Sequence, residues 1–374
     1  MAATVADIIR VMESLAPSSL AEDWDNPGLQ VGHKDRLVRA ITVALDPLPE
    51  VVAAACEQKS DLLITHHPLI FNPLKSLDLN TPVGAVIQKA LQHGLAIFSA
   101  HTNFDSAAGG LNDILALKIG LENLIPLVPG RAARESGMCK LAVYVPSGYE
   151  QKISDALFET AAGKIGDYSC CSFRNKGTGT FRPETGALPF IGKIGEISHT
   201  DEIRIEAVVP ESDVSDIVAH IRKSHPYQTM AYDVYPLLSA ERLPEGLGRV
   251  GELDRETDLQ SFALRIKEIL GLRAVKMTGK PDLPVRKAAV CTGSGSGLMR
   301  AFFASDAQVY ISGDLRYHDA RDAEAAGRGL VDIGHFASEH LMVKVLAQRL
   351  AEILSGTDVS VNACNLEYDP FIIL

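Results

Sequence analysis

Cysteine, long apolar runs and excess positive charge are all scarce in this sequence. Its six cysteines form no Cys-X-X-Cys pair, and so few in a long chain indicate a reducing compartment. No apolar stretch approaches the length of a membrane span, and the first residues have helical rather than signal-peptide periodicity, with Thr4 as the expected N-cap. The net charge of −11 disfavours nucleic acid or an anionic membrane as a partner held by bulk charge. We therefore expect a cytoplasmic protein without a membrane partner.

Two parts of the chain alternate strand-like and helical segments. With 374 residues, the chain is long for a single hydrophobic core, so two domains are expected. The predicted strands are residues 37–45, 61–65, 94–100, 287–292, 308–312 and 329–334. Alternation with helices is typical of βαβ units, so the fold class is α/β. We expect a layered α/β/α outer domain with a largely parallel or mixed sheet, ending in a helix at 338–354.

The middle of the chain has a different pattern, which predicts an insertion. Strand-like runs at 141–146 and 205–210 each end in Val-Pro and continue into a helical stretch. Further strands at 168–173 and 232–237 complete two β-α-β units, which predicts a ferredoxin-like α+β domain. A Gly-rich segment at 177–183 is expected to be a loop, as a lid, a contact surface or a connection. The predicted domains are residues 1–130 plus 246–374, and the insertion at 131–245.

Three short histidine and carboxylate clusters each follow a predicted strand of the outer domain. They are His66-His67, the run HTNFD at 101–105 with His101 and Asp105, and the run GHFASE at 334–339 with His335 and Glu339. Strands of an open α/β sheet deliver functional side chains at their carboxyl ends. Imidazole and carboxylate together are the ligands of hydrolytic zinc, manganese or iron sites. The three clusters therefore predict a metal centre with two metals.

Each cluster alone also has a purely structural explanation. Adjacent histidines on an extended chain point to opposite sides, so one can be core and the other solvated. A glutamate at the start of a helix, such as Glu339, is often stabilised by the helix dipole alone. The metal prediction depends on the three clusters occurring together.

Five ordered motifs give the chain a resemblance to a known family. They are DNPGLQVG at 25–32, His66-His67-Pro68, HTNFD at 101–105, GLGRVG at 246–251 and GHFASE at 334–339. Together they resemble the GTP cyclohydrolase I type 2 homologue family, also described as dinuclear metal-centre hexameric proteins. The middle segment resembles the CutA-like or PII-like insert of the longer bacterial members.

The resemblance implies specific ligands, cofactors and partners. It implies two divalent metal ions per chain, with zinc as the first expectation and manganese or iron as alternatives. The implied ligands are His66, His67, Asp105, His335 and Glu339, with Glu339 as the bridge. The implied assembly is a homohexamer, and the implied substrate is a small molecule such as the nucleotide GTP, whose imidazole ring would be opened with release of formate.

Chemistry alone leaves several roles open. Ring opening needs a general acid, for which His101 and His318 are candidates. The same metals would serve a dinuclear phosphoesterase, and a non-enzymatic metal-binding regulator or scaffold is a third possibility. Asp314 and His318 follow another predicted strand, where they either line the pocket or are surface residues. The Gly-rich run at 292–297 is either an anion cradle or a tight strand-to-helix turn.

Overall fold

The computed structural model describes residues 3–130, 138–237 and 245–372. The chain forms two compact units, one of residues 1–131 with 243–374 and the other of residues 132–242. The sequence predicts boundaries at 131 and 245. Residue 131 itself lies outside the described residues, as do 132–137 and 238–244.

The helices and strands are numbered in chain order. The first segment contains β1 (Ala3–Thr4), α1 (Val5–Leu15), β2 (Gly28–Val31), β3 (Leu37–Val38), β4 (Ala40–Ala44), α2 (Pro49–Glu57), β5 (Leu62–Thr65), α3 (Pro82–His93), β6 (Ala96–Ser99), α4 (Thr102–Ser106), α5 (Leu111–Lys118) and β7 (Leu121–Pro129). The middle contains β8 (Met138–Pro146), α6 (Glu150–Phe158), β9 (Ser172–Phe181), β10 (Ser198–Pro210), α7 (Val214–Arg222) and β11 (Tyr232–Pro236). The last segment contains β12 (Gly246–Asp258), α8 (Leu259–Ile269), β13 (Lys276–Thr278), β14 (Pro284–Ser294), α9 (Met299–Ala304), β15 (Val309–Gly313), α10 (Tyr317–Ala325), β16 (Gly329–Asp332), α11 (His335–Glu339), α12 (Leu341–Ile353) and β17 (Ser360–Ala363).

The first unit contains a five-stranded mixed sheet in the order β17-β4-β5-β6-β2. The first four strands of this order are parallel, and β2 is antiparallel to β6. Along β5, Leu62 and Ile64 pack into a core shared with α1 and α12, whereas Leu63 packs with α2 and α3. Both faces of the sheet are therefore covered by helices, which explains why its central strands β4, β5 and β6 are mostly apolar and buried.

Helix α1 begins where the sequence predicts it. Thr4 Oγ1 accepts a hydrogen bond from the backbone N–H of Asp7 at 3.2 Å, and the Asp7 carboxylate accepts one from the Thr4 N–H at 2.7 Å. This reciprocal capping box satisfies two N–H groups that a helix start leaves free. Val5, Ile8 and Met12 form the buried face of the helix.

A second large sheet of this unit has six strands, in the order β13-β16-β15-β14-β12-β7, and β1 and β3 form a separate antiparallel pair. Its centre, β14-β15-β16, is parallel, and the outer pairs are antiparallel. Alternate residues of β15 serve two cores, because Val309 and Ile311 pack with α8 whereas Tyr310 packs with α9. The two large sheets of the unit are mixed and layered with helices, so the predicted α/β class is confirmed.

The GLGRVG motif lies in β12 and contains a buried arginine. The Arg249 guanidinium donates to the Asp113 carboxylate, to the carbonyl of Gly246 at 2.6 Å and to that of Ala107 at 2.9 Å. Its charge is thereby paired and hydrogen-bonded, as burial requires. Ala107 directly follows α4, so Arg249 fixes the end of that helix against the second sheet.

The second unit has four antiparallel strands in the order β11-β8-β10-β9, with α6 after β8 and α7 after β10. Two details of the prediction are wrong. The first half closes on β9 rather than on a strand at 168–173, and most of the Gly-rich segment 177–183 is part of β9 rather than a loop. β9 is the edge strand and is exposed along most of its length, so it lacks the apolar alternation that marks a strand.

Among the described residues, no helix combines the length and the apolar character that crossing a bilayer would need.

Candidate metal centre

The histidines and carboxylates of the three clusters meet within the first unit. His66 and His67 directly follow β5, and His101 follows β6, the parallel neighbour of β5. Asp105 lies on the short helix α4. The third cluster comes from the other sheet, where the chain leaves β16 and begins α11 with His335, placing Glu339 one turn later. The centre is thus assembled from strand ends of two sheets, whereas the sequence predicts that the three clusters lie at the edge of a single sheet.

Each of the four histidines is held through its Nδ1 atom. Nδ1–H donates to an oxygen in every case: His66 to the Ala100 carbonyl at 3.0 Å, His67 to Asp46 at 2.7 Å, His101 to Asp25 at 2.8 Å and His335 to Asp314 at 2.7 Å. Such a bond fixes the tautomer and leaves the Nε2 lone pair free. Metal-binding histidines typically have this second contact to a carboxylate or a backbone carbonyl.

The Glu339 carboxylate lies between three of the Nε2 atoms. Its Oε2 is 3.0 Å from Nε2 of His67 and 2.9 Å from Nε2 of His335, and its Oε1 is 3.5 Å from Nε2 of His66. Despite this proximity, Glu339 Oε2 and His66 Nε2 are buried without a hydrogen bond among the described residues. Buried polar atoms without partners are costly. A cation among them would satisfy both, so these residues fit a metal ion.

The donor atoms form two groups that share His67. One contains His66, His67 and His101, and the other contains His67, His335 and Glu339, with the donor atoms of each group within 4.8 Å of one another. Asp105 lies beside the first group, with its Oδ2 3.8 Å from Nε2 of His66. All the ligands implied by the family resemblance are therefore close together.

The Gly-rich run at 292–297 packs directly against this centre. Thr292 Oγ1 donates to Asp105 Oδ1 at 2.9 Å, and the Gly293 N–H donates to Ser338 Oγ at 2.8 Å. Gly293 has a φ of +64°, and a Cβ added there would lie 2.2 Å from Oε1 of Glu339. Only glycine allows this approach. Thr292 thus positions the Asp105 carboxylate, and Gly293 leaves the space that the Glu339 carboxylate occupies.

Without a metal, the centre is a network of strongly perturbed acids and bases. Burial lowers the pKa of His67, but the Asp46 and Glu339 carboxylates outweigh burial and raise it to about 10. The Glu339 carboxylate raises the pKa of His335 to about 9, although burial opposes it. Burial raises the pKa of Asp105, whereas the surrounding histidines hold the pKa of Glu339 well below its ordinary value in spite of burial.

The two residues assigned to proton transfer are placed differently. His101 lies inside the cluster, with its ring centroid 5.1 Å from that of His66 and 5.6 Å from that of His67. His318 lies on the exposed first turn of α10, and its ring contact among the described residues is with Tyr317, at 5.5 Å between centroids. The structure therefore brings His101, but not His318, into contact with the other histidines.

Sequence reasoning missed the residue that holds His67. Asp46 is the second residue after the end of β4, the strand beside β5, so its position at the same sheet edge was the available signal. The sequence leaves open whether Asp314 lines the pocket or lies at the surface, and Asp25 stands out only as part of the DNPGLQVG motif. Both carboxylates accept a histidine Nδ1–H.

Fold and site together define an α/β protein whose histidine and carboxylate clusters can hold a metal ion. Residues 3–370 match the family described as Duf34/NIF3 (NGG1p interacting factor 3). The chain belongs to this family.

Several relatives match over nearly the whole chain. A Bacillus subtilis protein named GTP cyclohydrolase 1 type 2 homolog is 40% identical over 371 residues, covering 98% of both chains. A Mycobacterium tuberculosis protein of the same name is 36% identical, covering 99% of this chain and 97% of its own. A solved Bacillus cereus protein related to NIF3 is 37% identical, with a TM-score of 0.68 and complete coverage of both chains. The family predicted from the motifs is confirmed.

Proposed function

We propose that this protein is a metal-dependent hydrolase that holds two divalent metal ions through His66, His67, Asp105, His335 and Glu339. The observation that carries the proposal is that every histidine of the centre has its Nδ1–H engaged by an oxygen. That arrangement leaves Nε2 as a ligand and raises its basicity. Zinc is the first expectation, because imidazole with carboxylate suits it, and manganese or iron accept the same donors.

The position of Glu339 supports a bridging role between two metals. Its Oε2 faces His67 and His335, whereas its Oε1 faces His66. We expect Glu339→Gln to weaken both sites, because the amide removes the charge and one acceptor oxygen. Elemental analysis of the purified variant tests this. Full occupancy of two metals in Glu339→Gln would rule out the bridge.

The reaction proposed is opening of the GTP imidazole ring with release of formate. When bound, the metals would supply a Lewis acid and a water of lowered pKa. Water adds to the carbon between the two ring nitrogens, and one carbon–nitrogen bond breaks to leave a formamide. A second water adds to the same carbon, and the other carbon–nitrogen bond breaks with release of formate. Each departing nitrogen requires a proton. His101 is the first candidate donor because it lies in the cluster and Asp25 fixes its ring.

His101 has two possible roles, as proton donor or as a ligand beside His66 and His67. The variant His101→Asn separates them. A proton donor would leave the metal content unchanged and abolish turnover, whereas a ligand would lower the metal content itself. His318→Asn, tested in parallel, keeps full activity if the exposed His318 has no part in the reaction.

Product analysis distinguishes the proposed reaction from its alternatives. Metal-loaded protein incubated with GTP should release formate, measured enzymatically. Release of phosphate instead would favour a dinuclear phosphoesterase. Tight metal binding with neither product would favour a metal-binding regulator or scaffold.

We also propose that the chain forms a homohexamer in the cytoplasm and acts on a small molecule. The support is the motif resemblance to dinuclear metal-centre hexameric proteins. Closed symmetry is the rule for such assemblies. Light scattering across a dilution series tests the proposal, and a mass that stays near 40.2 kDa at every concentration would overturn it.

A further inference from the structure

Two exposed aromatic rings lie against the candidate metal centre. Trp24 is the single tryptophan of the chain and is 58% exposed, and Phe71 is 46% exposed. Their ring centroids are 5.8 Å apart. The centroid of His101 is 6.0 Å from that of Trp24 and 6.4 Å from that of Phe71. Large aromatic side chains left in water are a sign of a binding surface when they cluster beside a functional site.

Trp24 is fixed to the centre by its neighbour in the chain. The buried Asp25 carboxylate accepts a hydrogen bond from Nδ1–H of His101 at 2.8 Å and from the N–H of Thr102 at 3.0 Å. Burial raises the pKa of Asp25, but the hydrogen bonds from the His101 ring and from the Thr102 hydroxyl outweigh burial and lower the pKa to about 2. The backbone that carries Trp24 is therefore anchored directly to the residues at the end of β6.

Phe71 is fixed to the same loop by two further residues of the DNPGLQVG motif. Asn26 Nδ2 donates to the carbonyl of Ile70, and Gln30 Oε1 accepts from the Ile70 N–H at 3.1 Å. Gln30 Nε2 in turn donates to the Asn26 carbonyl at 2.8 Å. Both backbone groups of Ile70 are thus held by the motif, which places the next residue, Phe71, beside Trp24.

We propose that Trp24 and Phe71 form a subsite that stacks a planar heteroaromatic ring of the substrate beside the metal centre. This inference rests on the proposed function and names its substrate class. Aromatic side chains gain dispersion and quadrupole interactions with the faces of such rings. A ring held there lies next to His101, where ring-opening chemistry requires it. The DNPGLQVG motif then serves both recognition and catalysis, because Asp25 orients His101 while Asn26 and Gln30 hold Phe71.

Because Trp24 is the single tryptophan, its fluorescence reports directly on the subsite. Full-length, metal-loaded protein is titrated with guanosine, with GTP and with inorganic triphosphate. We expect guanosine and GTP to change the emission, and triphosphate alone to leave it unchanged.

Calorimetric titration with guanosine then measures the contribution of each ring. Stacking between a base and an aromatic ring predicts that Trp24→Ala and Phe71→Ala each weaken binding between about fivefold and about a hundredfold. Trp24→Phe, which keeps a ring, should recover most of the affinity. Tyr368→Ala, which removes an aromatic side chain that is 74% exposed, is the matched control and should bind as the unmodified protein does. Metal content should be the same in all four variants.

The outcomes that overturn the subsite differ from those that overturn the proposed function. Emission that does not respond to guanosine, or equal affinity in Trp24→Ala, would overturn the subsite while metal content remains normal. Binding losses accompanied by dissociation of an oligomer would identify the rings as a contact between copies instead. Failure of the unmodified protein to take up metal would overturn the proposed function and this inference with it.

Discussion

The substitution Asp46→Asn tests whether the carboxylates behind the histidines support metal binding. Asp46 accepts the Nδ1–H of His67 at 2.7 Å, and His67 is the histidine shared by both donor groups. Asparagine keeps the shape and one acceptor oxygen but removes the charge that makes the imidazole more basic. Loss of such a partner typically weakens metal affinity by about 10- to 100-fold, or about 1.4 to 2.7 kcal/mol. We expect the loss to fall on the one metal that His67 binds, because the single free Nε2 lone pair of His67 can bind only one ion.

Asp314→Asn provides an internal comparison. Asp314 holds His335, which belongs to only one donor group, and its side chain is 49% exposed against 33% for Asp46. Solvent screens the more exposed carboxylate better. We therefore expect a smaller loss, of about threefold to tenfold, that is confined to one metal.

The assay is competition with a chelator at fixed pH, fitted to two sites. Asp35→Asn is the matched control, because Asp35 also pairs with a histidine, His33 at 3.6 Å, but both side chains are largely exposed. Asp35→Asn changes the net charge of the chain by the same amount as Asp46→Asn does. Equal affinities in Asp46→Asn and Asp35→Asn, or an Asp314→Asn variant weakened at both sites, would refute the reasoning.

Three further predictions concern glycine, pH and the insertion. Gly293→Ala should weaken metal binding by more than about tenfold and lower the free energy of unfolding by about 1–3 kcal/mol. The reason is that the new Cβ would lie 2.2 Å from Glu339 Oε1, at a backbone φ of +64°. Gly297→Ala, whose Cβ would have no atom within 4 Å, is the control in thermal unfolding and metal titration. In metal-free protein, the pKa values of His67 (about 10) and His335 (about 9) are raised, so these protonated histidines stabilise the fold fully below pH 6.5. The melting temperature should therefore fall as the pH rises through 9 and 10. A melting temperature that stays constant over this pH range would contradict the prediction. Finally, a chain in which a short linker joins residue 130 to residue 246 should still bind metal. The two ends to be joined are already adjacent, because the Gly130 N–H donates to the Glu245 carbonyl at 3.0 Å. A folded but metal-free product would show that the insertion helps to form the site.

The donor clusters could be predicted because each breaks an apolar run abruptly. Leu62, Leu63 and Ile64 are followed by two histidines, and such a change marks a strand end whatever the tertiary structure is. The supporting residues could not be found in this way. Asp46 is followed by a proline and has the sequence character of an ordinary turn residue, and its role depends on the pairing of β4 with β5, which is a tertiary property.

The strands that sequence reasoning missed are those without a simple pattern. β7 contains Pro126 and Pro129, which argue against a strand in the middle of a sheet, but β7 is an edge strand, where proline is tolerated. β12 begins with the glycines of GLGRVG and shows no apolar alternation there. The helix predicted at 338–354 is in fact two helices, α11 and α12, and the first of them carries His335 and Glu339.

The assembly of the centre from both sheets has a consequence for biosynthesis. The donors run from His66 to Glu339, so a ribosome must release almost the whole chain before the second donor group exists. Domains fold as they emerge, and contacts so distant in sequence form late. Until residues 335–339 are synthesised, the nascent chain contains only His66, His67, His101 and Asp105 of the centre, and a chain truncated before them cannot complete the site. The free energy of the proposed metal binding would add to that of folding only in chains that include Glu339, so the metal would stabilise these chains relative to truncated ones.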